Sequence, residues 1–300
     1  MTKYAVLDCG TNTFHLLIVS ITEDKPWEVI YKNRKFIYLA EDGIHVIGPK
    51  AYERALQALE VFSTELKKHE LSGFRAVGTA AMRNAYNATD LIKDAREKFN
   101  VNIEIISGEE EAHLIHIGVN HYAPLSEFPY LIMDIGGGSV EFILLNRQKL
   151  LWSKSFEVGV SVLFNNFQHS DPINDTDKTA LREFLEEQLT ELSISISNFK
   201  NIALLGAAGT FDVIENFGGY KIPGTECTQV DLKDFYSISK RIQNMDLKTR
   251  LATPQIPPYR ANMIIVALLL IEFVLQSGDI TNIKIVMGDI KDGILLEMMV

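Results

Sequence analysis

Residues 133–145, with the sequence MDIGGGSVEFILL, decide the fold: an apolar strand ends in an aspartate, a glycine turn follows, and a second apolar strand leaves the turn. Residues 4–19 have the same order of features, namely the strand YAVLD, the turn CGTNT and the strand FHLLIV. Short apolar runs bounded by turn residues are typical of buried strands. A strand–turn–strand unit that occurs twice predicts two related halves.

Outside these two hairpins, strands and helices alternate along the chain, which predicts an α/β protein with mixed sheets. We expect helices near residues 49–70, 88–99, 109–122, 176–199, 231–244, 259–277 and 290–299. The loop at residues 123–129, which is rich in proline and polar residues, is the predicted boundary between the two halves. A chain of 300 residues suffices for two domains of about 120 to 170 residues each.

The formal net charge of −10 argues against nucleic acid as a general partner. The same charge repels any polyanionic substrate, so a bound phosphate chain needs local positive potential. The candidates for it are Arg83 and a basic cluster formed by Lys32, Arg34 and Lys35. We interpret the cluster first as a solvated loop face and second as a surface that attracts phosphate.

The cysteine content and the hydropathy indicate the compartment. Cys9 and Cys227 are too few for a disulfide framework and fit a reducing cytosol. The most apolar run, residues 263–275, contains Glu272 and is too short to span a bilayer. We therefore expect a cytoplasmic protein without a membrane partner.

Two turns are candidate cradles for phosphate. Gly136, Gly137, Gly138 and Ser139 form one turn, and Gly10, Thr11, Asn12 and Thr13 form the other. Glycine permits positive φ and close approach, so backbone N–H groups can converge on an anion. Asp8 and Asp134 precede these turns, where a carboxylate repels phosphate unless a cation such as Mg²⁺ intervenes. The alternative is a pair of tight hairpin turns capped by aspartate.

Two other nucleotide-binding motifs are excluded. The chain contains no GxxxxGK[ST] sequence, which excludes a P-loop. The glycines at 136–138 lie in a hairpin and lack the third glycine and the following helix of a dinucleotide-binding fingerprint. The segment GAAGT at residues 206–210 is a further glycine turn, which either contacts a ligand or begins a helix.

Acidic and basic side chains near these turns are candidates for chemistry. Glu109, Glu110 and Glu111 open a predicted helix, and three acidic residues exceed what the helix dipole requires. The residues alone do not distinguish among these three. Glu141 interrupts an apolar strand, and an unpaired buried carboxylate is costly, which favours a metal or water partner. The planar guanidinium of Arg83 suits phosphate oxygens.

Several segments together resemble the exopolyphosphatase / guanosine pentaphosphate phosphohydrolase (Ppx/GppA) family, in its short form, within the actin–Hsp70–sugar-kinase superfamily. They are DCGTNTFHLLI at 8–18, VGTAAMRNAYN at 77–87, IISGEEEAHLIHIG at 105–118, MDIGGGSVEFILL at 133–145, GAAGT at 206–210 and MGDIKDGILLEMM at 287–299. One segment departs from the family pattern, because YRANMIIVA at 259–267 has Asn262 at a position where the family usually has an acid.

The resemblance implies a fold, a domain division and residue roles. The fold is α/β, with two actin-like (ribonuclease H-like) domains whose mixed sheets flank a central cleft. The first domain comprises residues 1–124 plus 289–300, and the second comprises 125–288. Glu111 matches the catalytic glutamate that orients and deprotonates the attacking water. Asp134 and Glu141 match metal-site carboxylates, with Asp8 opposite, and Arg83 matches the arginine that grips phosphate.

The function that these features favour is Mg²⁺-dependent hydrolysis of the terminal phosphoanhydride bonds of inorganic polyphosphate, with Mn²⁺ as a substitute metal. The alternatives are a guanosine pentaphosphate 5′-phosphohydrolase and a sensor that binds (p)ppGpp or polyphosphate without cleaving it. We identify no aromatic and arginine pair placed to clamp a purine. The acidic chain also offers few places for an extended basic track, so binding should rest on a few terminal phosphates. A homodimer is compatible with these expectations.

Overall fold

The computed structural model of the protein describes residues 2–21, 27–123, 129–146, 149–207 and 209–299. The contacts within the chain divide it into two compact units, one of Met1–Gly118 with Ile290–Val300 and one of Val119–Asp289. Most of the predicted boundary loop, residues 124–128, lies outside the described residues. The division between the two compact units falls between Gly118 and Val119, inside a helix.

The first unit is an α/β fold around a five-stranded sheet. Its elements are β1 (Lys3–Cys9), β2 (Thr13–Ser20), β3 (Glu28–Phe36), α1 (Pro49–Leu66), β4 (Gly73–Gly78), α2 (Ala80–Asn84), α3 (Ala88–Phe99), β5 (Ile103–Ile105) and the start of α4 (Gly108–Tyr122). The strand order is β3-β2-β1-β4-β5, in which β1 is antiparallel to β2 and parallel to β4.

Alternation along the strands gives this sheet one apolar face. Leu7 and Cys9 of β1 and Phe14 and Leu16 of β2 join a buried core with residues of α1 and α3. Helix α1 begins at Pro49, whose ring fixes φ and whose missing N–H is not needed in a first helical turn. The opposite face of the sheet carries Asp8, the residue that precedes the first turn.

The second unit is built around a seven-stranded sheet. Its elements are β6 (Pro129–Ile135), β7 (Val140–Asn146), β8 (Lys149–Phe156), α5 (Val160–Phe167), α6 (Asp175–Gln188), α7 (Thr190–Ile196), β9 (Ile202–Ala207), α8 (Thr210–Phe217), β10 (Tyr220–Lys221), β11 (Thr228–Val230), α9 (Leu232–Gln243), α10 (Leu247–Leu251), α11 (Ile264–Gln276) and β12 (Ile280–Val286). The last helix, α12 (Ile290–Met298), belongs to the first unit and contacts β1.

The two sheets repeat one topology. Five strands of the second sheet follow the order β8-β7-β6-β9-β12, which corresponds to β3-β2-β1-β4-β5 in the first. In both sheets the first strand of the hairpin is antiparallel to the second and parallel to the strand on its other side. The predicted fold class, α/β with two mixed sheets of the actin-like type, is confirmed.

The basic cluster Lys32, Arg34 and Lys35 does not lie in a loop, contrary to the prediction. It lies within β3, an edge strand that was not predicted, because most of its residues are exposed and residues 31–35 are all polar or charged. The helix expected at 176–199 is divided at Leu189 into α6 and α7, and the one expected from 259 begins only at Ile264. Among the described residues, no helix is both long and apolar enough to cross a membrane.

Candidate active site

The two turns are closed by the same hydrogen bond. The N–H of Gly10 donates to the carbonyl oxygen of Thr13 at 3.0 Å, and the N–H of Gly136 donates to that of Ser139 at 3.0 Å. A Cβ atom on Gly136 would lie 2.9 Å from the carbonyl oxygen of Ser139, closer than side chains normally approach. The second turn therefore requires glycine at its first position for steric reasons.

The carbonyl groups of the second turn are held by the start of α5. The N–H groups of Gly159, Val160 and Ser161 donate to the carbonyl oxygens of the three turn glycines, at 3.2, 3.0 and 2.8 Å. A Cβ atom on Gly159 would lie 2.4 Å from the carbonyl oxygen of Gly137. Glycine is therefore also required at position 159, which is the N-cap residue of α5. Within the described chain, the N–H groups of Gly137 and Gly138 have no hydrogen-bond acceptor. Such N–H groups suit an anion.

The first turn is supported in the same way by the segment that follows β3. The carbonyl oxygen of Asn12 accepts from the N–H groups of Ile37 and Tyr38 at 2.8 and 3.1 Å, and that of Thr11 accepts from Leu39 at 2.7 Å. The Thr11 side chain is buried, and its Oγ1 accepts from the N–H of Ala81 at 3.2 Å. Thr11 is therefore fixed within the first unit by its hydroxyl as well as by its backbone.

Each hairpin places a polar side chain opposite its aspartate. Asp8 is paired across the strands with His15, and Asp134 with Glu141. His15 Nε2 lies 2.9 Å from the Thr13 hydroxyl, and the Ser139 hydroxyl donates to Glu141 Oε1 at 2.6 Å. The residue facing the aspartate thus bonds the last hydroxyl of the turn in both units.

Glu141 is 2% exposed and is not the unpaired carboxylate that its apolar neighbours suggested. Its Oε1 accepts a second hydrogen bond from the Ser155 hydroxyl at 2.7 Å. Two hydroxyl donors offset part of the desolvation cost of the charge. The two hydroxyls therefore account for part of the stabilisation of the buried Glu141 carboxylate.

The three glutamates at the start of α4 have different surroundings. Glu109 is exposed, and Glu110, whose side chain is partly exposed, forms an ion pair with Arg75 at 2.5 Å. Glu111 is only 7% exposed, and its Oε2 accepts from Arg83 Nη1 at 3.1 Å. Glu111 is therefore the one member of the run that is both buried and held in orientation, a distinction that the residue types alone could not make.

Arg83 has guanidinium N–H groups that can donate to a ligand. Its Nη1 also donates to the carbonyl oxygen of Ile106 at 2.9 Å, and its side chain is 23% exposed. Both of its hydrogen bonds to described residues come from Nη1, so Nε and Nη2 have no acceptor there. A guanidinium carries five N–H donors, and the remaining ones can bind phosphate oxygens.

The third glycine turn, residues 206–210, includes Ala208, which lies outside the described residues. Gly209 has φ +56°, a conformation that favours glycine. A Cβ atom there would lie 2.6 Å from Nη2 of Arg260, so the guanidinium of Arg260 lies directly against this turn. Arg260 was not among the residues predicted for the site, although it stands two residues before the departure at Asn262.

An aromatic pair beside the first turn was also missed. The rings of Phe36 and Tyr38 are stacked, with centroids 6.2 Å apart and an interplanar angle of 19°. Phe36 is paired across the strands with Thr13, and Tyr38 bonds the turn through Asn12. The available signal was two aromatic residues spaced two apart, immediately after the basic cluster.

The candidate site residues fall into two sets, each within its own unit. Asp8, the first turn, Arg83 and Glu111 lie in the first unit, whereas Asp134, the second turn and Glu141 lie in the second. In the part of the chain that the structure describes, no three His, Cys, Asp or Glu side chains form a metal-binding group. Mg²⁺ nevertheless binds through one or two carboxylates together with waters and substrate phosphates, so the paired Asp134 and Glu141 fit its donor chemistry.

Comparison with known proteins gives consistent matches along the chain. The model of the Ppx/GppA phosphatase family matches residues 18–300. The chain is 26% identical to "Exopolyphosphatase 2" of Mycobacterium tuberculosis, over 99% of both proteins.

Solved structures agree with this match. A crystal structure of an exopolyphosphatase from Cytophaga hutchinsonii superposes with a TM-score of 0.91 at 33% identity, covering 99% of this chain and 97% of the other. A Ppx/GppA family member from Aquifex aeolicus has a TM-score of 0.80 at 20% identity, covering 99% and 97%, which supports the fold alone. The matched residues span nearly the whole chain, and this protein therefore belongs to the Ppx/GppA phosphatase family.

Proposed function

We propose that the protein is an exopolyphosphatase, which hydrolyses the terminal phosphoanhydride bond of inorganic polyphosphate. Two relatives that match almost the entire chain, from Mycobacterium tuberculosis and Cytophaga hutchinsonii, bear that activity in their names. The observation that carries the proposal is the ion pair of the buried Glu111 with the partly exposed Arg83, since it brings together a base for water and a donor for phosphate.

Glu111 is assigned as the general base. Arg83 holds its Oε2, and we assign its Oε1 to take a proton from the attacking water. The water oxygen forms a bond to the terminal phosphorus, and the bond from that phosphorus to the bridging oxygen breaks. Orthophosphate and a chain shorter by one phosphate are released. Positioning and electrostatics suffice for such a transfer, because phosphoryl transfer needs little covalent help.

Each unit has its own groups that we assign to phosphate oxygens, the first turn and Arg83 in the first unit and the second turn in the second. The N–H groups of Gly137 and Gly138 and the Nε and Nη2 groups of Arg83 lack acceptors among the described residues. The hydroxyls of Thr13 and Ser139 already bond His15 and Glu141, so their role is mainly to position those side chains. Preorganised donors of this kind require little rearrangement when negative charge develops.

We assign Mg²⁺, with Mn²⁺ as a substitute, to Asp134 and Glu141 of the second unit. Asp8 holds the corresponding position before the turn of the first unit. When bound, the metal would supply positive charge that offsets the repulsion between these carboxylates and the phosphate groups. Oε1 of Glu141 is engaged by Ser139 and Ser155, and the two hydroxyls fix the direction of the carboxylate. Asp134, the less buried of the two, is the stronger candidate for direct coordination.

Guanosine pentaphosphate is the second candidate substrate. The stacked Phe36 and Tyr38 rings beside the first turn favour it, because an aromatic face can stack on a purine. The sequence did not lead us to expect this aromatic pair. Phosphate chemistry at the terminal group would be the same for both substrates.

The test is orthophosphate release from long polyphosphate, tripolyphosphate, guanosine pentaphosphate and ATP, each at equal concentration with Mg²⁺. The proposal predicts the largest kcat/KM for an inorganic chain. Far faster turnover of guanosine pentaphosphate than of every inorganic chain would replace the first candidate by the second. Tight binding without release of orthophosphate would contradict both and favour a sensor.

A further inference from the structure

Strand β3 carries two basic side chains on the face of the first sheet that carries Asp8. Across the strands, Arg34 is paired with His15, and His15 with Asp8, so these three residues form one row. Lys32 is paired with Leu17 in the next parallel row on the same face. Side chains two residues apart share a face of a strand, about 7 Å from each other.

Lys35 lies on the other face of the same strand. It is paired with Phe14, a residue of the apolar core, so its stem points toward the helix side of the sheet. The cluster read from the sequence as one basic patch is therefore divided by the pleat. Arg34 and Lys32 lie on the same face of the sheet as Asp8, and Lys35 lies on the opposite face.

The end of β3 is fastened to the first turn. Ile37 and Tyr38, which follow the strand, donate their N–H groups to Asn12. Tyr38 has φ +55°, which is unusual for a large side chain and must be offset by surrounding contacts. A chain of phosphates bound at the first turn would thus meet Phe36, then Arg34, then Lys32 in order along β3.

The charge of this strand differs from that of the whole protein. The net charge is −10, whereas β3 contains Lys32, Arg34 and Lys35 against the single acid Glu28. Lys32 is exposed and forms no ion pair with any described residue. Lysines also protect edge strands from pairing with other chains, but that role would not require Arg34 to stand in the row of Asp8 or Lys32 to share its face.

We propose that Arg34 and Lys32 form a track on β3 that binds the inner phosphates of a polyphosphate chain, beyond the terminal group held at the first turn. The inference rests on the proposed function and adds a determinant of chain length to it. It revises the expectation that binding depends on a few terminal phosphates, because the track extends the contacts by about two residues' spacing along the strand.

The test compares Lys32→Gln, Arg34→Gln and the double variant with Lys35→Gln, which removes the same charge from the opposite face. The measurements are KM for a long inorganic chain and for tripolyphosphate. Each track variant should raise KM for the long chain about two- to fivefold, as expected for exposed charge pairs, and the double variant more. KM for tripolyphosphate should change little, and Lys35→Gln should resemble the wild type. The long-chain effect should shrink as salt concentration rises.

An unchanged long-chain KM in the double variant would overturn the track, as would an equal rise for tripolyphosphate or an equal effect of Lys35→Gln. Calorimetric binding of the long chain to the same variants separates this inference from the proposed function. If the wild-type protein binds the long chain through Arg34 and Lys32 but releases no orthophosphate, the track is supported and the proposed exopolyphosphatase activity is contradicted. Protein that neither binds nor cleaves the chain would contradict both.

Discussion

Arg83 Nη1 lies 3.1 Å from Oε2 of Glu111, which joins the predicted phosphate-binding arginine to the predicted catalytic glutamate. The pair of Arg75 and Glu110 has the same residue types at 2.5 Å, but the Glu110 side chain is 37% exposed against 10% for Glu111. Arg75 also forms ion pairs with Glu104 and Glu297. The chain thus contains its own control for the Arg83–Glu111 pair.

Replacement of Arg83 should affect catalysis, whereas replacement of Arg75 should not. Arg83→Met removes charge-assisted hydrogen bonds to phosphate and the group that orients Glu111, so kcat/KM for polyphosphate should fall roughly tenfold to a hundredfold. Arg75→Met removes an ion pair of the same kind whose glutamate is more exposed, and it should leave kcat/KM within about twofold. Steady-state kinetics of both variants measure this, and equal losses would contradict the special position of Arg83.

Gly159→Ala should destabilise the second unit. The new Cβ atom would lie 2.4 Å from the carbonyl oxygen of Gly137, so the turn or the start of α5 must shift. Overpacking of this kind costs about 1 to 3 kcal/mol. Gly218→Ala is the matched control, because nothing lies within 4 Å of its added atom. Urea unfolding of both variants gives the comparison, and a Gly159→Ala variant as stable as wild type would refute the close packing.

The sequence alone was sufficient to predict the family, the fold class and the enzyme class, which is that of a phosphoanhydride hydrolase. All three predictions are confirmed. The two hairpins account for this success, because an apolar strand, an aspartate and a tight turn are local features. The matched support of both turns, by the start of α5 and by the segment after β3, depends on contacts distant in sequence. Nothing in a local pattern indicates them.

The edge strand β3 shows where local patterns fail. One face of this strand carries Tyr31, Asn33 and Lys35, and the other carries Lys32 and Arg34. Neither face is apolar over these residues, because an edge strand has little to bury. The distinction among the three glutamates also needed the structure. It depends on Arg83, which is distant in sequence and reaches only Glu111.

Removal of divalent metal should abolish orthophosphate release, and Mg²⁺ or Mn²⁺ should restore it. Asp134→Ala should raise the Mg²⁺ concentration needed for half-maximal activity by more than about tenfold, which corresponds to about 1.4 kcal/mol of lost binding. Asp175→Ala, an exposed acid at the start of α6 in the same unit, should not. Assays after chelation with EDTA and titration with Mg²⁺ test this, and full activity in chelator would refute the metal assignment.

Mild acid should destabilise the helix that carries Glu111. Burial, and secondarily the nearby His113, lowers the pKa of His116 from its usual value of 6.5. The folded protein therefore favours the neutral imidazole, whereas the unfolded chain takes up a proton below about pH 6.5. The stability that depends on neutral His116 is full above that pH and is lost as the pH falls toward the lowered folded pKa.

The loss of stability between pH 8 and pH 5 should accordingly be smaller in His116→Gln than in wild type. His45→Gln, which alters an exposed histidine, should keep the wild-type difference. Urea unfolding at both pH values measures it. Identical pH dependence in His116→Gln and wild type would show that the burial of His116 does not disfavour its charged form.

The role of Glu111 as general base is tested most directly by its replacement with the isosteric amide. Glu111→Gln keeps the shape and can still face Arg83 but cannot accept the proton of the attacking water. Glu109→Gln and Glu110→Gln change the adjacent glutamates, one exposed and one paired with Arg75. The measurement is kcat for orthophosphate release from polyphosphate, with calorimetric binding of the same chain as a control for the fold. We expect Glu111→Gln to lose about 10² to 10⁴ in kcat with little change in binding, and the other two variants to stay near wild type. Wild-type turnover by Glu111→Gln, or an equal loss in all three variants, would contradict the assignment.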